Sequence, residues 1–168
     1  MSTQFRKSIF VAVLVAASGA TLADDGRGGG KPQVFAGVFY PAIIAMTMPG
    51  PQRCPDTHPI LFQFEGDSYT TLGFATIAQS HCEDFEHTSF VRGQQTITTQ
   101  DRDELHGTYE GRIWPTPTTE SDGALVVGGR YRNVGGTGAF SKANGKGVTV
   151  GTVNLYTGAV VIAVTGDL

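Results

Sequence analysis

Between Leu105 and Ile113 the chain alternates without interruption. Leu105, Gly107, Tyr109, Gly111 and Ile113 fall on one side of an extended backbone, and His106, Thr108, Glu110 and Arg112 on the other. Successive side chains of a strand point to opposite faces, so this order belongs to a sheet with one dry and one wet surface. The dry face mixes glycine with large groups, as a curved sheet requires where its inner lining crowds. Residues 90–99 precede this arm across the polar turn Gln100 to Glu104, which predicts an antiparallel hairpin.

Further extended segments surround the hairpin. Residues 34–40 read as a first strand that continues to Met48, before Pro49-Gly50-Pro51 turns the chain. Residues 61–65 form a short strand closed by Gly66-Asp67. Residues 69–80 form another, with Gly73 in its middle marking a bulge or a close backbone approach. The polar run from His81 to Ser89 reads as a loop. Trp114-Pro115-Thr116-Pro117 breaks the ladder after the hairpin, because proline cannot donate a hydrogen bond. Residues 124–132 are extended again. In 147–155 the apolar positions change parity between Val148 and Val150 and then Val153 and Leu155, which predicts a bulge or kink at Gly151. The last strand, 159–165, is apolar on both faces, so loops or a second subunit must cover its outer side.

The total is seven to eight strands with no amphipathic helix of ten residues or more. The expected fold is all-β: an antiparallel closed barrel, which removes edge strands, with a two-sheet sandwich as the alternative.

The stretch from Tyr131 to Leu155 organises the C-terminal half. Gly135, Gly136 and Gly138 fit a sharp bend, since glycine alone takes positive φ freely, and Phe140 supplies the large apolar group that would plug a barrel end. Val134-Gly135-Gly136-Thr137-Gly138-Ala139-Phe140, followed by Ala143, Gly145 and Gly147, resembles the GGTG-x-F-x-x-A-x-G signature of the allene oxide cyclase-like and dirigent-like barrels, which include small exported bacterial proteins. The resemblance implies an eight-stranded antiparallel barrel with an apolar cavity, commonly assembled as trimers. In the plant members, acidic and polar residues inside the cavity guide a cyclisation or a radical coupling. The corner motif carries none of those residues, so no catalytic position transfers to this chain.

Arg6 and Lys7 precede the apolar run Ile9 to Ala17, and small residues follow up to Thr21-Leu22-Ala23. This is the pattern of an export signal, residues 1–23, cleaved after Ala23. The apolar run is about half the roughly 20 residues that a spanning helix needs, and the mature chain contains no membrane span. Residues 24–32 carry four glycines and no apolar anchor, which predicts a flexible leader before a single domain at 33–168. The predicted location is secreted or periplasmic.

Two of the 12 basic residues leave with the signal, so 10 remain against 15 acidic residues, a net charge of −5. No basic stripe is visible along the chain, which argues against nucleic acid as a partner. Export also bears on the two cysteines: an oxidising compartment makes a Cys54–Cys82 disulfide the expectation and a pair of free thiols the alternative.

Motifs that would name a chemistry are weak. The glycine corner fails as a Walker loop, because Phe140 stands where a glycine is needed and Gly147 where Ser or Thr is needed. It also fails as GxGxxG at Ser141, so no cofactor is expected. His81-Cys82-Glu83-Asp84-Phe85-Glu86-His87 holds the densest set of metal-ligand types, but on a loop with Cys82 bridged it reads as a solvated acidic segment and not a metal site. No Gly-x-Ser-x-Gly elbow anchors a hydrolase. Glu65, Asp67, Glu110 and Arg112 are read as facing water.

The candidate ligand-binding lining is Leu105, Tyr109, Ile113 and Tyr131, joined by Phe62, Phe64 and Phe74 where their strands face inward. The same residues would also serve a core filled by its own side chains. The functional expectation is non-catalytic: binding of a small apolar ligand, or an extracytoplasmic interaction or structural role. The enzyme alternative is a dirigent-like or cyclase-like protein that steers a reactive apolar intermediate. A cavity holding a desolvated carboxylate would favour the enzyme.

Overall fold

The computed structural model describes residues 33–48 and 52–168. The export signal, the leader and the turn at Pro49-Gly50-Pro51 lie outside the described residues. Eight strands follow one another: β1 (Val34–Thr47), β2 (Ile60–Thr70), β3 (Gly73–Glu83), β4 (Ser89–Thr99), β5 (Glu104–Pro115), β6 (Ala124–Gly136), β7 (Lys146–Asn154) and β8 (Val160–Asp167). A short helix, α1 (Thr119–Asp122), precedes β6, and a 3-10 turn (Gly138–Phe140) follows it.

Each strand pairs antiparallel with the next, and β8 returns to β1 from Val34 opposite Asp167 to Phe39 opposite Ile162. The sheet is therefore a closed eight-stranded barrel and not a sandwich. Closure pairs every strand on both sides and leaves no edge to aggregate. The hairpin of β4 and β5 and the dry face of β5 stand as the alternation predicts, with Leu105 and Ile113 buried and Thr108, Glu110 and Arg112 exposed.

Three glycine expectations are corrected. Gly66 does not close β2, which runs on to Thr70. A Cβ at Gly66 would overlap the Tyr40 carbonyl, so glycine there lets β1 approach. Gly73 is not mid-strand: Thr71 and Leu72 form a two-residue turn, and Gly73, at φ +93°, opens β3. Gly151 carries no bulge, since β7 stays in register with β6 and β8 throughout. Val148 and Val150 point outward, Thr149 and Val153 inward, and a Cβ at Gly151 would overlap the Val161 carbonyl. The register shifts lie instead between Ile43 and Ala45, Ser80 and Cys82, Phe90 and Gly93, and His106 and Gly107. β5 also continues through Trp114 and Pro115, with Pro115 opposite Leu125.

The two ends of the barrel differ. One is solid: Phe35, Phe39, Ile77, Ile97 and Leu105 pack together, and Phe140 enters from the 3-10 turn. Gly135 (φ +111°) and Gly138 (φ +49°) make the corner that aims Phe140 inward. Gly136 acts by space, because a Cβ there would overlap the Glu104 carbonyl. Thr137 fastens the corner to β5, its Oγ1 accepting the Glu104 N–H at 2.9 Å and its own N–H donating to the Glu104 carbonyl at 2.9 Å.

Tyr131 is buried at this end with a hydroxyl that has no hydrogen-bond partner. Burial, with Asp167 adding to it, pushes this phenol up to about 12. A tyrosine pKa raised on folding contributes stability that is complete below about pH 10 and is lost as pH rises toward 12. Denaturant unfolding between pH 9 and 12, repeated on Tyr131→Phe, is expected to show a shallower alkaline loss in the variant. An unchanged slope would mean that Tyr131 does not report its burial.

Candidate functional site

The opposite end of the barrel is not filled. There β3 runs inward-facing through Ala75, Ile77, Gln79, His81 and Glu83, and the expectation of a solvated loop from His81 is corrected: His81, Cys82 and Glu83 are strand residues, and all three are buried. Cys82 lies between two inward-facing neighbours and points outward. It is bonded to Cys54 with a Cα–Cα distance of 5.5 Å, which pins the β1–β2 connection over the strand.

The chain then reverses through a tight turn. Asp84 organises it, accepting the Thr88 N–H and Thr88 hydroxyl at 2.7 Å each and the Ser89 hydroxyl at 2.6 Å. Burial raises the Asp84 carboxyl, but these hydrogen bonds and nearby His58 outweigh it and hold the group below its ordinary value. In the turn His87 takes φ +51° and brings its ring back over Glu83.

Glu83 is the centre of the resulting network. His81 Nε2 lies 2.7 Å from one carboxylate oxygen and His87 Nδ1 2.7 Å from the other. An ionised carboxylate only accepts, so both imidazole nitrogens donate to it. His81 in its neutral form is then left with an accepting Nδ1, and the Tyr109 hydroxyl stands 3.0 Å from it as the donor. Burial drives the Tyr109 phenol well above a tyrosine's ordinary value, with Arg53 opposing the shift and Glu83 reinforcing it. Tyr109 therefore stays a neutral donor. The result is one continuous hydrogen-bonded line of groups, Tyr109, His81, Glu83 and His87.

The walls around this line are apolar. The His81 ring stacks on Phe90 with centroids 4.8 Å apart, and Phe64 sits 4.9 Å away on another side. Ile113, Leu125, Val127 and Val160 are among the other lining residues, with Gln79 donating to Gln95 at 3.3 Å as a second polar rung. The cavity between them is narrow, about 50 Å³, and reaches the surface at His87 and Leu155. That is room for a few waters, or for a thin ligand group that displaces them.

Of the expected lining residues, Phe62, Phe64, Tyr109 and Ile113 do face this cavity. Leu105 and Tyr131 lie in the packed end instead. Phe74 faces solvent, edge-on to Tyr69 at 5.3 Å, because the turn before Gly73 gives the inward positions to Ala75 and Ile77. Glu65, Asp67, Glu110 and Arg112 are exposed.

The sequence reading weighed His81, Glu83 and His87 only as metal ligands and set them aside as a solvated loop, and it did not consider Gln79 or Gln95. Continuing the Ala75-Ile77 alternation by three steps would have placed Gln79, His81 and Glu83 on the inner face. Among the described residues no group of three or more His, Cys, Asp or Glu side chains is arranged to hold a metal ion, and the two imidazoles here are each engaged by an oxygen of Glu83. No helix among the described residues is long and apolar enough to cross a membrane. Comparison of the chain with protein-family models, curated proteins and solved structures finds no match.

Proposed function

We propose that the protein is an exported carrier that takes a small, mainly apolar molecule with one hydrogen-bonding group into the open end of the barrel. The observation that carries this reading is Glu83: a buried carboxylate held by two imidazoles at one wall of an otherwise apolar cavity. Apolar walls favour ligand entry without naming the ligand, and a few placed polar groups fix its orientation. The disulfide fits an oxidising compartment, which supports a secreted or periplasmic location.

Calorimetric titration with propan-1-ol and with 1-chloropropane, thin enough for so narrow a cavity, tests the reading. The alcohol is expected to bind about tenfold or more tightly, the scale of one charge-assisted hydrogen bond. Glu83→Gln is expected to erase most of that difference, and Ile113→Trp, which fills the cavity, to abolish both. Undiminished binding in Ile113→Trp would place the ligand elsewhere and end the proposal.

The same carboxylate favours a second reading, in which the barrel steers a reactive apolar intermediate as a dirigent-like or cyclase-like protein. Its resemblance to those barrels supports this, and the line from Tyr109 to Glu83 offers a donor and an acceptor within one desolvated pocket. Cyclisation of an unsaturated epoxide, followed by chiral chromatography, is expected to give one enantiomer in excess with the native chain and a racemate with Glu83→Gln. A racemate from both excludes steering.

Self-association, as a trimer by the resemblance, belongs to the same proposal. It is supported by the uncovered outer face of β7 and β8, where Val148, Val150 and Val161 remain 52%, 59% and 42% exposed. A monomer in sedimentation at micromolar protein overturns it.

A further inference from the structure

The outer wall of the barrel carries a second feature, on the side formed by β4, β5 and β6. Arg53, Arg92, Arg130 and Arg132 surround a shallow groove of about 570 Å³ floored by Gly93, Thr108 and Tyr109. A second groove of about 590 Å³ adjoins it, sharing Glu110 and Arg130 and adding Arg112 and Trp114. Five of the eight basic residues in the described chain thus line one trough, in a protein whose overall charge is negative. Of the described acidic residues only Glu110 lies in it.

Among the described residues every ion pair involves a histidine, so none of these five arginines has a carboxylate within 4.0 Å. Two of them are held in place by other means. The Arg53 guanidinium donates to Gln94 Oε1 at 2.7 Å, Ser80 Oγ at 3.0 Å and the Arg92 carbonyl at 3.2 Å, while its Nε is buried without a partner. Arg92 sits at the register shift between Phe90 and Gly93 with φ +52°, a conformation uncommon outside glycine. A bulge of this kind re-aims a side chain, and here the Arg92 guanidinium turns back to the Arg53 carbonyl. Arg130 and Arg132 project from one face of β6, about 7 Å apart by strand rise, with Glu110 and Thr108 opposite them.

The floor of the second groove is nearly bare backbone, from Gly111, Gly128 and Gly129. Trp114 lies across Gly128, where a Cβ would come within 3.1 Å of the indole, and it stays 46% exposed. A flat, half-exposed indole beside a glycine trough is a platform for the apolar face of a ring. Guanidinium groups recognise carboxylate and sulfate in bidentate fashion.

We propose that this trough binds an acidic glycan, a polysaccharide segment carrying carboxylate groups, with the arginines on its anions and Trp114 under a sugar ring. Two adjoining grooves suit several residues of a polymer better than one small anion. The site lies on the outer face of the same strands whose inner face lines the cavity, and Tyr109 and Phe90 border both.

Calorimetric titration of the intact exported protein with hexagalacturonate tests it, against maltohexaose and a thymidine hexanucleotide as probes. Hexagalacturonate is expected to bind with an affinity that falls as salt rises, and maltohexaose not to bind. Arg130→Ala with Arg132→Ala is expected to weaken binding about tenfold or more, and Trp114→Ala severalfold, with unchanged thermal unfolding because these side chains are exposed. Arg102→Ala with Lys142→Ala removes the same charge away from the trough and is expected to leave affinity unaltered. Equal weakening by that control pair, equal affinity for the hexanucleotide, indifference to Trp114→Ala, or no binding of hexagalacturonate at low salt would each overturn the proposal.

Discussion

Replacing both cysteines, Cys54→Ala with Cys82→Ala, is expected to lower the unfolding free energy by about 3 to 4 kcal/mol. The bridge joins residues 28 apart in sequence, and the chain entropy released by opening a loop of that length is of this size. Urea unfolding of the variant beside the native protein measures it. A change below about 1 kcal/mol would show that packing of the β1–β2 connection, not the covalent link, holds it down. The effect reaches the cavity as well, because Cys82 stands between His81 and Glu83. The variant is therefore expected to lose preference for the alcohol probe at temperatures where the barrel is still folded.

Phe140→Ala is expected to cost about 3 to 5 kcal/mol, the range for truncating a buried phenylalanine. Phe140 is 6% exposed and closes the packed end against Leu105 and Ile97. The glycine corner that carries it is tied to β5 through Thr137 and cannot collapse inward without breaking those hydrogen bonds. Phe140→Leu retains most of the volume and is expected to cost less than half as much. Both variants, while folded, are expected to bind the cavity probe normally, since the cavity lies at the other end. A loss under 1 kcal/mol for Phe140→Ala would mean that the corner only rests on the barrel.

The closed barrel was legible where side chains alternate cleanly. Residues 105–113 carry strand, faces and hairpin in their own order, because one face is buried along the whole segment. Glycines were harder to read, since one residue type serves two physical needs. Gly73 supplies positive φ at a turn, whereas Gly66 and Gly151 give room for a neighbouring strand. The second need depends on which strand lies alongside, and that is decided by pairings far apart in sequence.

The candidate site was hidden for a related reason. His81 and Glu83 look like loop residues because they are polar, and their burial follows only from the cavity they line. Phe62, Phe64, Tyr109 and Ile113 were found because apolar lining and apolar core have the same signature. For Leu105 and Tyr131 that shared signature marked core. The arginine trough is invisible along the chain, since Arg53, Arg92, Arg112, Arg130 and Arg132 come from four separate segments. The register of β5 against β6, with Glu110 opposite Arg130 and Thr108 opposite Arg132, gathers three of them, and the β4 irregularity at Arg92 with its hydrogen bonds to Arg53 brings in the other two.

Every strand of the barrel spans both the plugged end and the cavity end, so anchoring and the cavity walls are divided along each strand and not shared out among strands. The connections at 52–59, 84–88, 116–123 and 155–159 all belong to the cavity half. Those four segments can change in length or composition without touching the packing around Phe140 that anchors the other end.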